Sequence, residues 1–232
     1  MKKVAILLAG GVGSRLGLNR PKQFLEVAGR TIIEYTIDAF EQNEHIDEIA
    51  IVAHPNHIID MQDIIVANSW QKVTKVLSGG KERYDSSLAA IRAYPEEDVA
   101  LLIHDSVRPL VSQRIITEVC EAIATSEAVN LTIPAVDTII EVENGVMVSA
   151  PNRSRLQRVQ TPQAFRSGII AEAYRRALAD PDFSATDDCG VVFRYMPEVT
   201  IKIVQGEERN IKLTHQEDIS LIERVLGGKE NS

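Results

Sequence analysis

The chain has 232 residues, 44% hydrophobic and 25% charged, an ordinary globular composition in which one α/β domain over residues 1–232 can bury a sizeable core. Its formal net charge of -8 argues against a general nucleic-acid or membrane surface, yet leaves room for a local basic pocket that takes an anionic small molecule. Cys120 and Cys189 stand without metal-ligand spacing and fit reduced thiols of a cytoplasmic protein better than a disulfide framework.

Met1–Leu8 is basic and then apolar, but the apolar run is too short for a signal peptide and enters a glycine-rich turn instead of a cleavage site. No segment is long enough to span a bilayer. Val4–Leu8 reads as a fully buried strand, and Ala9–Gly17 as the turn that follows it. Thr31–Phe40 carries apolar residues at helical spacing, Glu48–Ala53 is the next strand, and His57–Ala67 the next helix. Val73–Leu77 is a strand that runs into Gly79-Gly80, and Ser86–Ala93 is helical. Val99–Ile103 is a continuous apolar strand ending at His104-Asp105, followed by a helix over Ile115–Ala124 and a strand over Val129–Ile133. Strands alternating with helices predict a Rossmann-like, mainly parallel sheet flanked by helices on both faces.

The pattern then changes. Asp137–Val148 reads as two short extended runs around Glu143-Asn144-Gly145, a hairpin turn sequence, and Pro151–Val159 is polar and rich in arginine. Residues 137–159 are too few for a domain. They read as an extended β-arm that a partner subunit covers, or else as a free surface hairpin. Helical periodicity resumes after Phe165, and the tail Gly227–Ser232 reads as disordered.

The strongest chemical signal is Leu8-Ala9-Gly10-Gly11-Val12-Gly13-Ser14-Arg15-Leu16-Gly17, followed by Pro21-Lys22-Gln23-Phe24. Glycines after a first buried strand let backbone N–H groups approach phosphate oxygens, and Arg15 and Lys22 bring positive charge to the same place. The last glycine comes one residue too late for a dinucleotide fingerprint, and no G-K-[ST] closes the turn as in a P-loop. Asp105 follows a buried strand at its carboxyl end, where open α/β sheets place ligands and where a carboxylate can hold Mg²⁺ bound to a triphosphate. His104 beside it reads as a buried structural histidine.

The turn and its Pro-Lys-Gln-Phe companion resemble the nucleotidyltransferases that move NMP to sugar or polyol phosphates. Further elements narrow the resemblance: Gly79-Gly80-Lys81-Glu82-Arg83-Tyr84-Asp85-Ser86, His104-Asp105-Ser106-Val107-Arg108-Pro109, Asp137-Thr138, Gln160-Thr161-Pro162-Gln163-Ala164-Phe165, Thr186-Asp187-Asp188 and Asn210-Ile211-Lys212-Leu213-Thr214, in that order. Together they look like the 2-C-methyl-D-erythritol 4-phosphate cytidylyltransferase family, over nearly the whole chain.

That resemblance implies CTP and a small polyol phosphate as substrates, a divalent cation such as Mg²⁺ on Asp105, and a homodimer. It implies CTP contacts from Ala9, Gly10, Gly11, Gly13, Gly80, Arg83, Ser86, Asp105 and Ser106, with Gly80 and Ser86 enclosing the cytosine. Arg108, Thr138, Arg153, Thr186 and Thr214 would hold the polyol phosphate, Arg153 reaching in from the partner subunit's arm. Arg15, Lys22 and Lys212 would stabilise the transition state.

Ribitol-5-phosphate cytidylyltransferases share the scaffold and are the near rival. Ser106-Val107, Ala135-Val136-Asp137-Thr138 and Pro151-Asn152-Arg153 lean toward them, while Arg153-Ser154-Arg155-Leu156, Val159–Phe165 and Thr186-Asp187-Asp188 lean toward the erythritol enzymes. A non-catalytic nucleotide-sensing module is a more distant alternative, disfavoured because a sensor need not keep Arg15, Lys22 and Asp105.

Overall fold

The computed structural model describes residues 1–11, 20–95 and 98–227. Gly13 and Arg15 of the glycine-rich turn, and the tail beyond Gly227, lie outside the described residues. In chain order the strands and helices are β1 (Lys2–Ala9), β2 (Glu26–Val27), β3 (Arg30–Thr31), α1 (Ile32–Glu41), β4 (Glu48–Ala53), α2 (Ile58–Asn68), β5 (Val73–Ser78), α3 (Arg83–Ala93), β6 (Val99–Asp105) and α4 (Gln113–Ala124). They continue with β7 (Ala128–Pro134), β8 (Glu141–Glu143), β9 (Val146–Ser149), β10 (Gln157–Arg166), α5 (Ser167–Ala177), α6 (Asp188–Tyr195), β11 (Ile201–Gln205) and α7 (Gln216–Gly227).

Seven strands form one sheet in the order β11-β7-β10-β6-β1-β4-β5. All neighbours are parallel except β10, which runs antiparallel to both β6 and β7. The exception follows from the connection. No crossover helix lies between β7 and β10, and a strand that returns without one comes back antiparallel.

Side chains alternate across each strand, so β1 sends Ala5, Leu7 and Ala9 to one face and Val4, Ile6 and Leu8 to the other. The first face packs under α1, α2 and α4, the second under α3, α5 and α6. Burial on both faces is why the central strands read as unbroken apolar runs. A smaller cluster of Val27, Ile32, Leu110, Leu213, Ile222 and Leu226 docks α7 beside β2.

Helix starts lie where local capping puts them. Thr31 and Glu34 form a capping box at α1, and the Ser112 hydroxyl accepts from the Ile115 N–H at 3.3 Å at α4. α3 begins at Arg83, three residues before the apolar periodicity, because the Asp85 carboxylate accepts the Glu82 N–H at 2.9 Å. β8 and β9 form a separate two-stranded ribbon turned at Asn144 and Gly145, both with positive φ (51° and 79°), as a two-residue hairpin requires. Its residues are exposed except Ser149, which is half-buried. Gln157–Val159, which the sequence groups with this arm, already pair with Pro134–Thr132 as the start of β10.

Candidate active site

The chain passes from β1 to β4 on one side of the sheet and from β5 across to β6 on the other, so β1 and β6 flank a topological switch point. Open α/β sheets bind ligands in the crevice outside the carboxyl ends of such strands. Leu8 stands in register with Asp105 there, and a cleft of about 440 Å³ opens above them.

One wall is built from the end of β1 and the Pro-Lys-Gln-Phe segment. Gln23 and Phe24 point inward, and the Gln23 amide donates to the Ala9 carbonyl at 2.7 Å. This clamps a short 3-10 turn, Lys22–Phe24, against β1 and leaves Lys22 at the cleft. The Lys22 ammonium donates to the Leu213 carbonyl at 2.8 Å, beside Lys212. Ala9 is buried with its carbonyl used in this way, and Gly10 and Gly11 line the cleft.

The opposite wall follows β5. Gly79, Gly80 and the first turn of α3 bring Ser86 to the cleft, where its hydroxyl is nearly buried. A Cβ on Gly79 would lie 2.7 Å from that oxygen, and one on Gly10 would lie 3.0 Å from it. Glycine is therefore a packing requirement on both sides of Ser86.

Asp105 is the electrostatic centre. Lys212 Nζ lies 2.8 Å from one carboxylate oxygen, and Arg83 Nε and Arg108 Nε approach to 3.6 and 3.7 Å. Burial alone would push this carboxyl up, but Lys212, Arg83 and Arg108 outweigh it and hold Asp105 well below the usual carboxylate range. Arg83 also pairs with the fully buried Asp188 at 2.7 Å, and Asp188 accepts from the Tyr174 hydroxyl at 2.7 Å. Burial would lower the Arg83 pKa, but its two carboxylates raise it above the ordinary arginine value. Burial pulls the imidazole of His104 down to about 4, against a partial opposing effect of Asp105, so the ring is neutral near neutral pH.

The cleft thus gathers Gly10, Gly11, Lys22, Gly80, Arg83, Ser86, Asp105, Ser106, Lys212 and Thr214. Arg108 is nearly buried behind Asp105, its guanidinium donating to the Asn210 carbonyl at 2.7 Å, and is not among the lining residues. Thr138, Arg153 and Thr186 are exposed and do not line it either. Thr138 and Arg153 lie in the arm region, where Arg153 donates to the Val136 carbonyl at 3.0 Å. Nearby Arg158 is a surface charge paired with Glu208. Sequence reasoning gave no role to Gln23, Asp188 or Lys81, which also lines the cleft. Gln23 and Asp188 do fall inside motifs that the resemblance already marks.

No histidine or cysteine lines the cleft among the described residues, and no group of three His, Cys, Asp or Glu side chains there could hold a metal ion unaided. Cations surround a single carboxylate, an arrangement suited to holding phosphates and spreading charge, not to supplying a nucleophile. With Gly10 and Gly11 at a sheet switch point, this defines a nucleotidyl-transferring α/β enzyme.

Comparison with known proteins gives the family. The model for 2-C-methyl-D-erythritol 4-phosphate cytidylyltransferase matches residues 3–228. The enzyme of that name from Thermobifida fusca is 44% identical over 96% of this chain and 92% of its own. A Haemophilus influenzae bifunctional ribulose 5-phosphate reductase/CDP-ribitol pyrophosphorylase is 40% identical over 99% of this chain, which spans 49% of that longer protein. The crystal structure of 4-diphosphocytidyl-2C-methyl-D-erythritol synthase from Anaerococcus prevotii superposes with a TM-score of 0.85 at 28% identity, covering 97% of this chain and 96% of that one. The chain belongs to the 2-C-methyl-D-erythritol 4-phosphate cytidylyltransferase family. No helix among the described residues is long and apolar enough to cross a membrane.

Proposed function

We propose that the protein transfers CMP from CTP to 2-C-methyl-D-erythritol 4-phosphate, giving 4-diphosphocytidyl-2-C-methyl-D-erythritol and pyrophosphate. The observation that carries this reading is the convergence of the Gly80–Ser86 loop, Asp105, Lys22 and Lys212 on one cleft at the switch point of a chain with this family's sequence throughout. An acceptor phosphate oxygen forms a bond to the α-phosphorus of CTP, the bond from that phosphorus to the β-phosphate oxygen breaks, and pyrophosphate leaves. The acceptor is already an anion, so no general base is needed. The barrier lies in bringing two anions together in line.

Lys22 and Lys212, with Arg15 from the turn, stabilise the charge that develops on the α-phosphate. Gly80 and Ser86 enclose the cytosine in a space walled closely by glycines, which favours a pyrimidine over a purine. Asp105 would be the residue that holds a divalent cation such as Mg²⁺ brought in with the triphosphate. Such an ion, when bound, neutralises the triphosphate and helps pyrophosphate leave.

The arm supports a homodimer. It exposes Val142, Val146, Met147 and Val148, an apolar ribbon that a second copy would cover. In this reading each arm brings Arg153 to the acceptor phosphate of the other subunit's site, which agrees with its exposure and with its absence from the lining of its own cleft. The buried free thiols Cys120 and Cys189 suit a reducing, cytoplasmic setting.

The deciding experiment measures pyrophosphate release from CTP with methylerythritol phosphate and with ribitol 5-phosphate, and repeats it with ATP, UTP and GTP. Turnover with CTP and methylerythritol phosphate is expected to dominate. Preference for ribitol 5-phosphate would move the chain to the rival acceptor, and equal use of ATP would refute the pyrimidine pocket.

A further inference from the structure

His104 is completely buried at the end of β6, next to Asp105 and inside the turn that leads to Arg108. Its Nδ1 lies 3.1 Å from the Thr161 hydroxyl of β10, its Nε2 lies 3.2 Å from the Arg108 carbonyl, and its ring packs on Phe40 with centroids 5.0 Å apart. The Thr161 hydroxyl also accepts the Asp105 backbone N–H at 3.1 Å.

The Arg108 carbonyl decides between the two tautomers. A carbonyl oxygen only accepts, so the nitrogen facing Arg108 must carry the ring proton. The other nitrogen is then an acceptor, and the Thr161 hydroxyl, with its own oxygen already facing the Asp105 N–H, gives it its single proton. The reverse tautomer would set two lone pairs against each other at 3.2 Å and leave the hydroxyl proton without the ring as acceptor. The chain Asp105 N–H to Thr161 O–H to His104 Nδ1, with His104 Nε2–H to the Arg108 carbonyl, gives both ring nitrogens and the Thr161 hydroxyl a partner.

Those contacts fall at both ends of one reverse turn. The Arg108 N–H donates to the Asp105 carbonyl at 3.0 Å, and the Ser106 N–H donates to the Leu8 carbonyl at 3.1 Å. The turn presents the Asp105 carboxylate to the cleft and sets the Arg108 guanidinium behind it. Backbone bonds fix its chain path, while the imidazole ties it to β10. We propose that His104, held as the Nε2–H tautomer between the Arg108 carbonyl and Thr161, is a positioning residue that braces the Asp105–Arg108 turn and so fixes the Asp105 carboxylate at the cleft and the Arg108 guanidinium behind it. The proposal rests on the cytidylyltransferase reading of the cleft.

The test combines spectroscopy with kinetics. Long-range proton–nitrogen correlation on protein labelled with ¹⁵N-histidine, near neutral pH, reads the tautomer of each ring, and the His104→Gln spectrum identifies which signal belongs to His104. The expected result is a bare Nδ1 and a protonated Nε2. A protonated Nδ1 overturns the proposal without any variant having to fold. In kinetics, His104→Phe keeps a flat ring against Phe40 but makes neither hydrogen bond. Assayed well below its unfolding temperature, it is expected to lose about tenfold or more in kcat while its KM for CTP stays within about twofold, because small displacements of reacting groups cost rate more than binding. His104→Gln can donate its side-chain N–H to the Arg108 carbonyl and should recover part of the loss. A folded His104→Phe with wild-type kcat, or a loss that vanishes once the folded fraction is matched, overturns the proposal. Absence of wild-type turnover with CTP and the acceptor would instead refute the proposed function, which separates the two failures.

Discussion

Glu48 gives the sharpest prediction about stability. It opens β4 at the amino end of the strand, opposite the cleft, and its carboxylate is nearly buried. Lys2, Thr74 and Tyr94 hydrogen-bond to it, and Lys75 Nζ lies 3.4 Å away. Burial would raise its pKa, but these partners outweigh that effect and hold it at about 2, against 4.5 for a free glutamate. At 1.36 kcal/mol per unit, the difference corresponds to roughly 3 kcal/mol of stability. Lys2 and Lys75 are nearly half exposed, so solvent screening reduces this to about 2 kcal/mol. For a chain of this size that is a Tm change of about 4–8 °C. The folded pKa is depressed, so the contribution is complete above the unfolded value and disappears as pH falls toward the folded one. Thermal unfolding of wild type and Glu48→Gln should therefore differ by that amount at about pH 7 and converge at about pH 2–3. Turnover at neutral pH should be unchanged, because Glu48 stands at the far end of the sheet from Asp105. A Tm gap that ignores pH would mean that packing, not ionisation, is what Glu48 contributes.

Gly80→Ala would place a Cβ 2.4 Å from the Asp85 Cβ, so the start of α3 must shift; CTP affinity measured by calorimetry should fall about tenfold or more in a folded protein. Lys22→Ala should cut kcat about hundredfold while the Kd for CTP changes only a few-fold, as expected of a cation that meets charge developing in the transition state. Arg153→Ala should damage acceptor use, and a purified mixed dimer with Lys22→Ala should recover about half of the wild-type rate; no recovery in a verified mixed dimer would mean that Arg153 does not serve the partner's site.

The parallel core was legible because burial on both faces leaves an unbroken apolar run, as in Val4–Leu8 and Val99–Ile103. β10 was not legible as a strand. It is the sheet's antiparallel member, it carries polar residues through Gln157-Arg158-Val159-Gln160-Thr161, and it contains Pro162 where the register shifts between Gln160 and Ala164. A proline in a central strand normally argues against that assignment, and only the register shift removes the conflict. The cleft residues were legible where they follow strand ends, as Gly80 and Asp105 do. Asp188 was not, because its work depends on meeting Arg83, 105 residues away in sequence, and no local pattern encodes that meeting. Gln23 was similarly hidden, since its side chain serves the backbone of another element.

The cleft's charge explains how an acidic chain can bind two anions. The protein carries a formal net charge of -8, yet the charged groups lining the cleft are Lys22, Lys81, Arg83 and Lys212 against Glu82 and Asp105 among the described residues. The excess is positive, and it is concentrated where low-dielectric walls focus the field. Asp105 does not cancel it. Lys212, Arg83 and Arg108 keep that carboxylate ionised, and it in turn holds their side chains in place before substrate arrives. Arg83 is shared between Asp105 and Asp188, and Lys212 is paired with Asp105; in the proposed transfer Lys22 and Lys212 are the cations assigned to the charge that develops. In the proposed transfer, cations preorganised in this way would need little rearrangement as the α-phosphate changes partners, and the cost of assembling them would fall on folding instead of on the reaction.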